Sequence, residues 1–532
     1  MTRPTSGARQ WLADQIPDAH SRRYRAAARA RDWARGAGDV ARGARQRLGA
    51  DPTGINWGPF RIPAARQQAA DWLTQHRAAA QRVATALDRA GIRHFAYSDA
   101  TLRWRIGAVV EDQSAVLTAL RSHWDGAPMV VGAVHDHHLN GLADLRVASG
   151  RVLTGAQTLR VALPVADPDG HQLLGPECGV NVDRWWAETS GSLRTAAHNR
   201  WTPMLPPQAQ VAAAVPDLGL ATFAPLLETH VDDVPDPVDA VVTWVDGADP
   251  AWQERRSRLG ETRFDAARFQ TIDELRYCLR SLRTYAPWLR TIHLVTDDQR
   301  PDWLVETAGL RVISHHDIGV GSVFNSHAIE ARLHHIPDLA EQYLYVNDDV
   351  FLARQHEPED FFTGAGAARF FPSRHLRVGY GGETSTPSAA GRNDRRLLRS
   401  ATGRVQTAKL EHTPHPQLLS VARELGERFP AEYERTARSA VRSREDISPI
   451  TLAAWYGAAT GRFVAGESEQ RYWDLRVKDL AAALHHLERQ HHLDTFCLNM
   501  GEDPGDWLTG NVATVRSFLP RYFPFVSPWE GV

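Results

Sequence analysis

The chain has 532 residues, of which 43% are hydrophobic and 23% charged, with a formal net charge of -2. That length exceeds one hydrophobic core and predicts two or three domains, and the composition excludes a disordered or fibrous chain. The near-neutral charge excludes a global pull toward nucleic acid or an anionic membrane, so only local charge can matter.

Cys178, Cys278 and Cys497 lie far apart without C-x-x-C spacing, which indicates neither a disulfide framework nor a zinc site. The N-terminus lacks a signal-peptide core, and no run of about 18 apolar residues occurs. The expectation is a cytoplasmic protein, at most peripheral at the inner face of the plasma membrane.

Residues 1–60 form a basic arm in which Arg22, Arg23, Arg25, Arg29, Arg31 and Arg35 crowd a helical stretch. Such a helix is either solvated or lies on an anionic membrane surface or a partner. Residues 61–230 read as a separate α+β module. It has helices near 65–90 and 112–122, strands near 93–97, 105–109, 129–134, 159–163 and 179–182, and a turn at Asp167-Pro168-Asp169-Gly170. His135, Asp136, His137 and His138 would alternate faces on an extended chain, so they read as a polar turn and not as a metal site. The acidic, proline-stiffened stretch 232–237 is a linker to a third region, residues 236–532.

In that region strands and helices alternate: strand 238–245, helix 272–285, strand 291–296, helix 301–307, strand 310–314, helix 325–336 and strand 343–352. The pattern predicts an α/β fold with a Rossmann-like, largely parallel sheet whose ligands sit at the carboxyl ends of its strands. Asp246, Asp297, His315, Asn347, Asp348 and Asp349 all fall at that end. An unpaired carboxylate in a core costs several kcal/mol. Asp348 and Asp349 are therefore expected at the mouth of a cleft, as oxygen ligands of a hard divalent cation; the alternative is a helix or turn cap by Asn347 or Asp348.

Other pieces carry possible chemistry. Thr243, Trp244, Asp246, Gly247 and Asp249 form a strand-to-loop corner, where Gly247 lets backbone approach a ligand and Trp244 packs in a core or stacks on a base. Arg276, Arg280 and Arg283 share one helix face, solvated or aimed at phosphate. Residues 364–409 read as a basic insertion over the cleft, with Arg392, Arg395, Arg396, Arg399, Arg404 and Lys409 against Glu383 and Asp394. Such an insertion suits an anionic substrate, or is simply an exposed loop. His412 and His415 flank Pro414 and read either as a general acid–base pair or as surface histidines in a turn. Arg442 to Asp446 precedes a helix near 449–461, and residues 496–504 form one more apolar strand ending in polar groups.

Taken together, four blocks resemble the signature regions of the Stealth family of sugar-phosphate transferases. They are 238–252, then 268 through Asp273-Glu274-Leu275-Arg276-Tyr277 and Asn325-Ser326-His327-Ala328-Ile329-Glu330 to Asn347-Asp348-Asp349, then 412–456, and 496–504. The fourth block departs from the pattern, because Met500 follows Asn499 where an acidic residue is usual. The resemblance implies a GT-A-like catalytic domain that moves a hexose-1-phosphate or N-acetylhexosamine-1-phosphate from a UDP-sugar to a hydroxyl of a capsular or other glycan, releasing UMP. It implies Mg2+ or Mn2+ on Asp348 and Asp349, with Asn347 orienting an oxygen, and His412 as the base. It further implies Arg442 on the phosphoryl oxygens, and Thr243, Trp244, Asp246, Gly247, Asp249, Arg276, Asn325, Ser326, Glu330, His415, Asp446 and Asn499 around the substrates. Capsule-synthesis machinery becomes a partner for the basic arm, and nucleic acid is not expected. Two rivals remain: a metal-dependent glycosyltransferase that would release UDP, and a non-catalytic carbohydrate-binding assembly subunit.

Overall fold

The computed structural model describes residues 54–531, apart from 58–59, 136–137, 208–210, 217, 260–270, 381–384 and 501–507. The basic arm therefore lies almost wholly outside the described residues. No helix among them is long and apolar enough to cross a membrane.

The accessory module begins its first long helix, α1 (Trp72–Arg89), later than expected, because Asp71 caps it by accepting from the Thr74 amide at 2.8 Å. Ala65 and Arg66 are instead extended and pair with Val165 and Ala166. Helices α1 and α2 (Ser114–Ser122) pack on an eight-stranded sheet of β1 (His94–Ala100), β2 (Arg103–Val109), β3 (Val130–His135), β4 (His138–Asp144), β5 (Thr158–Ala162), β6 (Val180–Ala187), β7 (Leu193–Thr195) and β8 (Met204–Leu205). His135 and His138 face each other across the β3–β4 hairpin, as a polar turn requires.

The module is not free-standing. Trp72 is fully buried in a core shared with the second half of the chain, and its indole donates to the Tyr285 carbonyl at 3.1 Å. Arg103 pairs with Glu357 at 2.5 Å, Arg200 with Asp233 at 2.7 Å and Arg283 with Asp71 at 2.9 Å.

The second half is built on β9 (Val238–Thr243), β10 (Ile292–Thr296), β11 (Leu310–Ser314), β12 (Gln342–Asn347) and β14 (His415–Leu418), with β13 (Val350–Leu352) leaving for a second sheet. The order is β11-β10-β9-β12-β14, parallel except for β14. Period-two alternation sorts the faces. Ala240, Val242, Leu344 and Val346 meet Leu275, Cys278, Leu279 and Leu282 of α4 (Glu274–Tyr285), which follows α3 (Pro250–Ser257). Val241, Tyr343 and Tyr345 meet Ala328 and Ile329 of α5 (Ser326–Glu330).

Three local expectations fail. Residues 301–307 are not helical, because the chain end runs along them: Val305 donates to the Trp529 carbonyl at 2.8 Å and Gly531 to that of Trp303 at 2.7 Å. The helix expected over 325–336 stops at Glu330 and resumes as a 3-10 turn, Leu333–His335. The basic insertion is no open loop, since it contains α6 (Thr386–Thr402), which packs on α9 (Pro449–Ala459), the third helix after it. Helices α7 (Leu419–Arg428) and α8 (Pro430–Ala437) lie between them. Arg395, one of its arginines, is buried and donates to the Gln406 carbonyl at 2.8 Å.

Candidate active site

The cleft follows from strand order. Strand β9 hands the chain to β10 on one side, while β12 lies on its other side, so their carboxyl ends diverge at a topological switch point. There Thr243 and Asn347 are register partners. The apolar run of β12 stops at Asn347, and Asp348 and Asp349 form the turn into β13.

Two elements clamp that turn. From β16 (Thr495–Asn499), which pairs with β13 and with β15 (Gln470–Asp474), the Leu498 amide donates to the Asp349 carbonyl at 3.0 Å. The Asn499 side-chain amide donates to Asp349 Oδ2, also at 3.0 Å. From α4, Cys278 packs with its thiol 3.9 Å from the Asn347 carbonyl. One turn earlier on α4 stands Glu274, buried, accepting from the Ile272 amide at 2.6 Å and the Thr271 hydroxyl at 3.1 Å.

Negative charge is concentrated here. Burial, and then the neighbouring Asp349 and Glu274, push Asp348 well above the carboxylate range. Asp349 is also raised by burial, against the Asn499 hydrogen bond and the charge of His412, and burial lifts Glu274 to about 7. Asp349 Oδ1 is buried without any hydrogen-bond partner. Clustered carboxylates driven toward protonation, with an orphaned oxygen among them, fit a hard divalent cation. Among the described residues, the three donors that already lie within 4.8 Å of one another are elsewhere: Asp167, Asp169 and His171. There the Asp167 carboxylate is taken up by the amides of Asp169, Gly170 and Gln172, as a turn-forming side chain.

His412 reaches the same corner. Its imidazole packs on the Tyr472 ring of β15 at 4.6 Å between centroids, Tyr472 donates to Asn499 Oδ1 at 3.0 Å, and Asn499 holds Asp349. Burial lowers the His412 pKa against the pull of Asp349 and Glu411, so the ring is neutral and able to accept a proton at neutral pH. His415 sits behind it in β14, stacked on Tyr345 at 6.3 Å, and burial drives its pKa down to about 3.

Arg442 arrives from the other side, donating to the Ser326 hydroxyl at 3.1 Å. Its loop is held by Asp446, fully buried, which accepts from Ser439 Oγ at 2.6 Å, the Ser443 amide at 2.7 Å and Asn325 Nδ2 at 2.9 Å. Asn325 also caps α5, accepting from the His327 amide. Glu330 closes α5 near the Arg442 charge and 3.4 Å from the Tyr345 hydroxyl, which lies 3.4 Å from Thr243 Oγ1. Burial raises Glu330 to about 7 even with Arg442 opposing it.

Apart from Tyr472, these groups fall in four matched family regions: Stealth conserved region 1 at residues 236–262, region 2 at 268–370, region 3 at 411–459 and region 4 at 485–531. An exopolysaccharide phosphotransferase of Streptomyces coelicolor is 36% identical over 485 residues, covering 84% of this chain and 88% of its own length. The chain belongs to the Stealth family. A similarly named CpsY protein of Mycobacterium leprae is 33% identical over 467 residues, covering 84% of this chain and 85% of its own. A solved galactosyltransferase, LgtC, covers 54% of this chain and 96% of its own at 10% identity and a TM-score of 0.29, too low to carry an argument.

Within the Stealth regions, some expected site residues turn out to be structural. Trp244 is only 7% exposed and packs into the core under α4, so it does not offer a face to a base. Asp249 caps α3, accepting from the Trp252 amide at 2.7 Å ahead of Pro250 at the first helical position. Asp246 is gripped through its main chain by the Gln299 side chain, at 2.9 and 2.8 Å, and the Gly247 carbonyl accepts from Gln253. Arg276 pairs with Asp273 at 2.8 Å and lies over Trp303, while Arg280 binds Glu530 and Arg283 binds Asp71, so this face is a set of latches and not a phosphate clamp. Met500 is buried in the core, and Glu502 and Asp503 lie outside the described residues.

Two contributors went unread in the sequence. Glu274 stands three residues after Thr271, the spacing of a helix-capping box, which hides its approach to the acids. Tyr472 lies between the third and fourth matched regions, and no motif marks it.

Proposed function

We propose that this Stealth protein transfers a sugar 1-phosphate from a UDP-sugar to a hydroxyl of a surface glycan and releases UMP. The observation that carries the reading is the connected corner in which a neutral base, His412, is tied through Tyr472 and Asn499 to Asp349 at the strand switch point. The names of its relatives, exopolysaccharide phosphotransferases, agree with it.

His412 takes the proton of the acceptor hydroxyl, and the acceptor oxygen attacks the phosphorus that bears the sugar. The bond from that phosphorus to the bridging oxygen breaks, and its electron pair leaves with UMP. The bond between sugar and phosphate oxygen is untouched, so the anomeric configuration is retained. Arg442, held by Ser326 and by the Asp446–Asn325 pair, faces the oxygens on which charge collects. Glu330 sets Arg442 in turn, and the loop at Thr243, Asp246 and Gly247 borders the donor. Asp348 and Asp349 would hold Mg2+ or Mn2+, with Asn347 orienting an oxygen, and the cation supplies charge neutralisation to the diphosphate. A UDP-sugar donor fits a cytoplasmic site of reaction, and the basic composition of the arm suits the inner membrane face or capsule-synthesis partners.

The test is incubation with a panel of UDP-sugars, Mg2+ and oligosaccharide acceptors, with nucleotide and product identified by mass. UMP together with a glycan heavier by a sugar phosphate is expected. UDP would favour a glycosyltransferase. Donor binding without either nucleotide, given a competent acceptor, would favour the non-catalytic subunit for which Met500 speaks.

A further inference from the structure

Strand β15 contributes one residue to the corner, and it comes from outside every matched family region. Tyr472 is 41% exposed, yet it makes two directed contacts. Its ring packs on His412 at 4.6 Å with a 40° tilt, and its hydroxyl donates to Asn499 Oδ1 at 3.0 Å. The second contact fixes the sense of the Asn499 amide. With Oδ1 occupied by a donor, Nδ2 points to Asp349 Oδ2 at 3.0 Å. Asp349 is held at its carbonyl by Leu498 and at Oδ2 by the Asn499 amide and, at 3.5 Å, by the Cys497 thiol, which leaves Oδ1 as the buried, unpartnered oxygen. One phenol therefore touches both the base and the amide that binds the acid.

We propose that Tyr472 is a positioning residue for the transfer reaction, locking the Asn499 amide so that Asp349 presents one oxygen to a divalent cation while its ring holds His412 in place. The cation and base roles rest on the functional reading above. The residue compensates for a local departure, since Met500 turns its side chain into the core and brings no oxygen to the corner. Outer partners of this kind typically change metal affinity or activity about 10–100-fold when removed.

The hydroxyl and the ring can be separated by substitution. Tyr472→Phe keeps the ring on His412 and removes the donor to Asn499, whereas Tyr472→Leu removes both. Arg471→Ala, at an exposed neighbour on the same strand, serves as control. Mn2+ affinity is read by electron paramagnetic resonance of the free ion, independently of turnover, alongside kcat and the donor and acceptor KM. Tyr472→Phe is expected to weaken Mn2+ binding about ten-fold. Tyr472→Leu should match that loss and lower kcat further without raising the acceptor KM. Both variants should keep the wild-type unfolding midpoint, because the side chain is 41% exposed and lies outside the buried core. Wild-type Mn2+ affinity in Tyr472→Phe overturns the proposal, as does a Tyr472→Leu whose kcat equals that of Tyr472→Phe. If the wild-type protein releases no UMP from any donor, the functional reading falls, and the Mn2+ titrations still decide whether Tyr472 orders Asp349.

Discussion

Glu330→Gln should change how the stability of the protein depends on pH, and the size of the change can be worked from the site. Burial lifts the Glu330 carboxyl from 4.5 to about 7. In that interval the folded chain holds a proton that the unfolded chain has released, so stability is complete below the unfolded pKa and falls as pH rises through the folded one. At about 1.4 kcal/mol per pH unit the full difference is roughly 3 kcal/mol, and partial exposure of the side chain trims it to about 2 kcal/mol. Glutamine keeps the shape and can still face Tyr345, but it carries no titrating proton. Denaturant unfolding of wild type and Glu330→Gln at pH 5, 6, 7 and 8 isolates the site, since Asp348 and Glu274 contribute to both curves. The variant should gain on wild type by about 2 kcal/mol between pH 5 and pH 8. A constant difference across that range would refute the assignment of Glu330 as an acid whose pKa desolvation raises beside Arg442.

Other consequences follow from the same contacts. His412→Ala should lower turnover by about 10²–10⁴ while donor binding survives, and wild-type activity should fall on acidification as His412 gains a proton; calorimetry with a UDP-sugar and a pH–rate profile check both. Asp446→Asn weakens the grip on the Arg442 loop and should lower kcat by about ten-fold or more with little change in the donor KM, measured by steady-state kinetics. Trp72→Ala empties the seam between the two halves of the chain and should cost about 3–5 kcal/mol, seen as a lowered unfolding midpoint.

The sheet was legible because its strands are apolar runs punctuated by helices, and the acid corner because two charges interrupt the run that ends at Asn347. The alternation that places Tyr345 and Leu344 on opposite faces is written in the sequence and realised in the packing. What stayed hidden depends on partners far along the chain. The segment 301–307 is extended because residues 529–531 pair with it, which no local propensity encodes. Arg276 looks the same in sequence whether it meets phosphate or Asp273, and Trp244 whether it meets a base or the core. Asp249 and Asn325 are polar side chains at helix starts, where capping competes with ligand binding for one residue type. Tyr472 carries no signal at all, since its role exists only once β15 is paired with β16.

The central claim concerns which phosphate bond breaks. A UDP-sugar carrying radiolabel in the phosphate next to the sugar, given with Mg2+ and an acceptor glycan, separates the possibilities in one chromatogram. The label should move to the glycan, unlabelled UMP should appear, and His412→Ala should slow both by the same factor. Label retained in UDP, with an unlabelled glycan, would contradict the account.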